Sequence, residues 1–168
     1  MHWKINIALR RDSLKDYLRD YATAAFRFYA QNGMSAEKFK QKIYIEALDE
    51  IKKRETKVKD GISNPTEQAL IKAEMAVNER ISEILDMESV DKVLAELEAR
   101  YKYYIIKAIE IVYFKDTDKD LLAGDIKNRV IIASHEIPAS ERSIYTWLKQ
   151  AREIFAYQRG LRINKSLQ

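Results

Sequence analysis

Only four glycines and two prolines punctuate a chain of 168 residues. A sandwich or barrel of many short strands needs turn residues far more often than that, so the spacing favours long helices. With 33% charged residues and apolar positions recurring every three or four, the chain reads as all-α. The organisation expected is an N-terminal helical bundle or arm over 1–89, followed over 90–168 by a long helix and a C-terminal helix-turn-helix domain.

Taken in order, the first helix is expected to start at Asp12 or Ser13 after an extended or frayed end, and to stop at Gly33. Leu14, Tyr17, Leu18, Tyr21, Ala25, Phe28 and Tyr29 form its apolar stripe; their helical spacing favours core packing over a base-stacking platform. Ser35 can cap a second helix carrying Phe39, Ile43, Ala47, Leu48 and Ile51, which turns polar towards Gly61. Asn64-Pro65-Thr66-Glu67 predicts the third start, with Asn as cap and Pro at the first helical position. Its seam is Leu70, Ala73, Val77, Ile81 and Ile84, with a break expected between Met87 and Ser89.

From Val90 to Ile111, the series Val90, Leu94, Leu97, Tyr101, Tyr104, Ala108, Ile111 alternates spacings of four and three. That predicts one long helix, packed against the chain's other helices or paired in a homodimer. Thr117 with Asp120 predicts the start of a shorter helix interrupted at Gly124, carrying Leu122, Ile126, Val130 and Ala133 and ending before Pro138.

Ser140 then caps a last helix whose Ile144, Leu148, Ala151 and Phe155, widened by Trp147 and Ile154, make one face apolar. The other face carries long or hydrogen-bonding side chains. In a helix-turn-helix the start of the second helix approaches base edges, which makes Glu141, Arg142, Tyr145, Thr146 and Lys149 the candidate base-reading residues. Arg142 is the foremost, because its fork can bond guanine bidentately. Ser140, Ser143, Arg152, Arg159 and Arg162 suit phosphates. The bland alternative is a solvated bundle face.

Charge supports a polyanion partner. Residues 139–168 hold six Lys or Arg against two Glu, which equals the whole net excess of +4, while residues 61–117 hold seven basic against eleven acidic. Chemistry of other kinds finds little support. There is no cysteine, and His2 and His135 stand alone, so no nucleophile–base pair can be assembled and the chain is not expected to be an enzyme. Asp116, Asp118 and Asp120 imitate a calcium loop, but Leu121 stands where Gly is needed and Lys127 where Glu is needed. No metal or cofactor is expected. The most apolar run is interrupted by Lys107 and Glu110 and the N-terminus has no apolar region of secretory length, so a cytoplasmic chain without a membrane partner is expected.

Ile132-Ala133, Ile137 and the run Ser140-Glu-Arg-Ser-Ile-Tyr-Thr-Trp-Leu-Lys-Gln-Ala151 resemble the sigma region-4-like helix-turn-helix of the ArpU/RinA type of phage-encoded transcriptional regulators. The likeness covers roughly residues 95–158; the stretch from Ile132 to Ser140 is one residue longer than usual in that family and includes Pro138. The resemblance implies a phage or prophage activator of a late operon, binding promoter DNA and working with the host RNA polymerase. Two other functions fit the same helices: a phage small terminase-like DNA-packaging protein, and a helical protein-interaction adaptor.

Overall fold

The computed structural model describes residues 2–56 and 66–161, with side chains from 17–55 and 66–161. Among the described residues there are seven helices and no strand, so the fold is all-α as expected. They are α1 (His2–Asn32), α2 (Ala36–Thr56), α3 (Glu67–Glu79), α4 (Ile81–Ala99), α5 (Tyr103–Tyr113), α6 (Asp125–Glu136) and α7 (Glu141–Arg159).

The chain divides into two compact units, Met1–Gly33 with Ser89–Gln168, and Met34–Glu88. Helix α1 belongs to the same unit as the C-terminal helices, while α2 and α3 lie in the other. The reason is burial. Ala22, Ala25 and Phe26 are sealed into the same core as Val90, Val93, Leu97, Ile105, Ile109, Val130, Ile144, Leu148 and Phe155. Phe26 stacks on Tyr113 with ring centroids 5.5 Å apart and tilts onto Phe155 at 5.8 Å, which ties α1 to α5 and α7. Burying an aromatic of this size contributes about 1.5–3 kcal/mol.

That packing rotates the α1 stripe from the expected one. Phe26 is its centre, Tyr21, Phe28 and Tyr29 are half-buried, and Tyr17 is 65% exposed. The helix also begins at His2 rather than at Asp12 or Ser13, and Gly33, at φ 61, ends it where expected.

In the second unit, Ser35 Oγ accepts from Lys38 N at 3.4 Å at the start of α2. Its Phe39 and Ile43 are buried, as are Ala69, Ala73 and Val77 of α3 and Ile84 of α4. The α3 cap is Thr66, whose Oγ1 accepts from Ala69 N at 3.3 Å; Asn64 and Pro65, like Gly61, lie outside the described residues. Leu70 and Ile81 are exposed, so the α3 seam is Ala-rich and narrower than expected. The break comes at Arg80, not at Met87–Ser89, through which α4 runs continuously. There the Arg80 guanidinium lies 4.9 Å over the Phe39 ring and donates to Glu83 at 2.6 Å.

The single helix expected from Val90 to Ile111 is two. Helix α4 stops at Ala99, Tyr101 takes φ 57, and Tyr101 N→Glu98 O and Lys102 N→Leu97 O, both 2.9 Å, close the helix end. This is the glycine-favoured helix terminus with tyrosine in the glycine position. A left-handed conformation costs a bulky residue about 1–2 kcal/mol. The seam dissolves with it: Tyr101 is 79% and Tyr104 41% exposed, while Val90, Leu97, Ala108 and Ile111 are covered by the chain's own helices.

Thr117 and Asp120 do not begin a helix. Helix α6 starts at Asp125 behind Gly124, whose φ of 88 needs no Cβ, and Asp125 Oδ2 accepts from Leu122 N at 2.7 Å. Two guanidiniums hold the intervening loop away from helical geometry. Arg27 donates to the carbonyls of Lys115, Asp116 and Lys119 at 3.1, 2.8 and 2.6 Å, and more weakly to that of Tyr113 at 3.4 Å. Arg129 donates to Val112 O at 3.0 Å and Lys115 O at 2.9 Å, and faces Asp116 at 3.8 Å. Carbonyls bonded in this way are diverted from a helical ladder. Leu122, expected on the apolar face of this helix, stands exposed in the loop.

Candidate nucleic-acid interface

Helices α5, α6 and α7 pack pairwise on one another, and α1 packs on α5 and α7. Between α6 and α7 lie only the four residues Ile137, Pro138, Ala139 and Ser140. Proline has no N–H to extend α6, and Ile137, buried, anchors the turn against the core. Ser140 is the α7 cap as expected: its backbone is extended, and its Oγ accepts from Ser143 N at 3.1 Å and lies 3.0 Å from Ser143 Oγ. Such a cap contributes about 1 kcal/mol.

The inward face of α7 is Ile144, Leu148, Ala151 and Phe155, all with no exposed surface. Trp147 and Ile154 are half-buried beside it, and Trp147 meets Tyr104 with centroids 4.6 Å apart. With this face fixed, helix geometry decides what the other presents. At 100° per residue, Glu141, Arg142, Tyr145, Thr146 and Lys149 fall within an arc of roughly 140°. All five are exposed.

Four of them have a setting of their own. Glu141 sits in the first turn, where a carboxylate complements the helix dipole. Thr146 Oγ1 donates to the Arg142 carbonyl at 2.9 Å, which steadies its rotamer. Lys149 faces Glu153 at 3.8 Å, an exposed pair that is weak and easily exchanged for another anion. Arg142 has no ion pair among the described residues, and Glu136 pairs with Lys115 at 3.9 Å.

The phosphate candidates separate. Ser140 and Ser143 lie at the first turn of α7. Arg152 turns inward, half-buried, and donates through Nη1 to Tyr113 Oη at 2.8 Å, so its guanidinium is engaged in joining α7 to α5. Arg159 is half-buried in the last turn of α7. Arg162 lies outside the described residues.

Reading the sequence missed Arg27 and Arg129, which position the loop leading into α6. Arg27 is 9% exposed, and burial first, then the nearby Arg129 cation, pull its pKa below the ordinary arginine value against the opposing pull of Asp116, Asp120 and Asp125. No local pattern could have revealed it, since its partners are 86–92 residues further along the chain. Lys127 and Asn128, exposed in the first turn of α6, were also passed over. The first helix of such a pair crosses the DNA backbone, and that docking rule is the signal that could have drawn attention to them.

Among the described residues no group of three or more His, Asp or Glu could hold a metal ion, and no helix is long and apolar enough to cross a membrane. The cleft between α2 and α3, lined by Glu37, Lys40, Gln41, Tyr44, Ile45 and Val77, is shallow and mostly apolar. No family model, curated protein or solved structure matches the chain.

Proposed function

We propose that this chain is a sequence-specific transcriptional regulator that binds double-stranded DNA through α7. The observation that carries the reading is the partition of α7: one face packed into the core, the other offering Glu141, Arg142, Tyr145, Thr146 and Lys149 to solvent behind a four-residue turn from α6. The major groove admits an α-helix, and these side chains supply the donors, acceptors and methyl contact that base edges call for. Arg142 bonds guanine, Glu141 can accept from cytosine, and Thr146 meets a thymine methyl. Ser140 and Ser143, with the amides of the first turn, Lys127 on α6 and Arg159 hold phosphates. Arg152 is taken up by its bond to Tyr113.

The resemblance to ArpU/RinA-type regulators supports the narrower role, a phage or prophage activator of late-operon transcription that works with RNA polymerase in the bacterial cytoplasm. The composition of residues 139–168 supports a polyanion partner independently of that resemblance.

Binding-site selection on the parent and Arg142→Ala proteins tests the reading. The variant is expected to fold as the parent does and to lose preference at one position of the recovered site, at about 1–3 kcal/mol of discrimination. Recovery of the same motif with undiminished information content would remove Arg142 from the reading set, and recovery of no motif from the parent would overturn sequence-specific binding.

A further inference from the structure

Both carboxylates of residues 139–168, Glu141 and Glu153, stand on the exposed face of α7. At 100° per residue Glu153 falls about 120° round the helix from Glu141, inside the arc that holds Arg142, Thr146 and Lys149. The charges on that arc, Glu141, Arg142, Lys149 and Glu153, therefore sum to zero, although residues 139–168 together carry +4. The segment is basic, but the face it turns outward is neutral.

Glu153 brings about half of that neutrality, and it does so against one particular cation. Its carboxylate faces Lys149 Nζ at 3.8 Å, with the glutamate side chain 53% and the lysine 69% exposed. Helix stability is a poor account of the pair, because a lysine with a glutamate four residues on is the less favourable order on a helix. Solvent reaches both groups, so another anion can take the ammonium at little cost.

We propose that Glu153 is an internal counterion of Lys149: it occupies the ammonium in the free protein, yields it to DNA, and so holds down the affinity of α7 for every duplex without choosing between sequences. The inference rests on the DNA reading of α7. Binding then exchanges one ion pair for another. The carboxylate left behind takes up a cation from solution, which offsets the one released from DNA, so Lys149 adds little to the salt dependence while Glu153 is present.

The test compares the full-length parent, Glu153→Gln, Lys149→Ala and the double variant by anisotropy titration of a labelled mixed-sequence duplex of about 30 base pairs, three turns of B-form helix, at several salt concentrations. Glutamine keeps the size and helix tolerance of glutamate and removes only the charge. Glu153→Gln is expected to tighten binding about two- to fivefold, the range of an exposed ion pair, and to steepen the slope of log affinity against log salt by about 0.9. With Lys149→Ala already in place, the same substitution should change affinity by less than about 1.5-fold, since coupled residues do not act additively. Parent-like affinity of Glu153→Gln, or tightening of the same size without Lys149, would overturn the counterion alone. So would a changed motif when Glu153→Gln is put through binding-site selection, which would make Glu153 a reader of bases. A parent protein that does not bind the duplex would overturn the DNA reading and this inference with it.

Discussion

Arg27 shows how much one buried side chain can organise among carbonyls. Its guanidinium gathers the backbone of the 113–119 loop, and no other side chain type can fork to as many acceptors. Replacing it with Met strands those acceptors; the expected cost is about 2–3 kcal/mol in urea unfolding, with faster proteolysis between residues 114 and 124. Arg27→Lys should recover little, since an ammonium lacks the planar fork. A parent-like midpoint for both variants would show the loop to be self-supporting. Tyr29 carries a second residue-level consequence. Its hydroxyl donates to Asp91 Oδ1 at 2.6 Å, and burial, then that bond and the carboxylate's charge, raise its pKa above the ordinary 10.0. A group whose folded pKa is raised contributes stability that is complete below its unfolded value and lost as pH climbs towards the folded one. Stability should therefore hold up to about pH 10 and fall above it, and Tyr29→Phe should flatten that fall when Tm is followed from pH 8 to 11.

At the scale of elements, helix ends and seams make separate predictions. The α7 cap is local, so Ser140→Ala should cost about 1 kcal/mol, or 2–4 °C in Tm, and leave helix content nearly intact by circular dichroism. Leu97 is different. It sits without exposed surface in the core shared by α1, α4, α5 and α7, so Leu97→Asp buries an unpaired charge and should lower Tm by more than about 5 °C or prevent folding. Melting indistinguishable from the parent would show that α4 is not part of that core. The apolar pattern from Val90 to Ile111 is where periodicity misled. A four-three alternation is the same whether one helix continues or two helices each bury part of it, and the turn at Tyr101 lets α5 lie against α6 and α7.

For the whole molecule, the charge distribution predicts a steep salt dependence of the proposed DNA binding. Each phosphate neutralised contributes about 0.9 to the slope of log affinity against log salt, and Arg159→Ala should weaken all sequences alike while lowering that slope by about one. Affinity indifferent to salt would sink the nucleic-acid reading at this scale. What the chain states on its own is what short-range chemistry decides: helices throughout, from the scarcity of glycine and proline; the Ser140 cap; and the two faces of α7, since a period of 3.6 separates Ile144 and Leu148 from Arg142 and Lys149 without reference to any neighbour. Tertiary structure alone decided the rest. Phe26 rather than Phe28 faces the core because Tyr113 and Phe155, far along the chain, stand there to receive it. The bond that Arg152 donates to Tyr113 Oη has no local signature either, since the two lie 39 residues apart. Helix α6 begins at Asp125 instead of near Thr117 because arginines from α1 and from α6 itself hold the loop before it, and no local signal competes with bonds made across that distance.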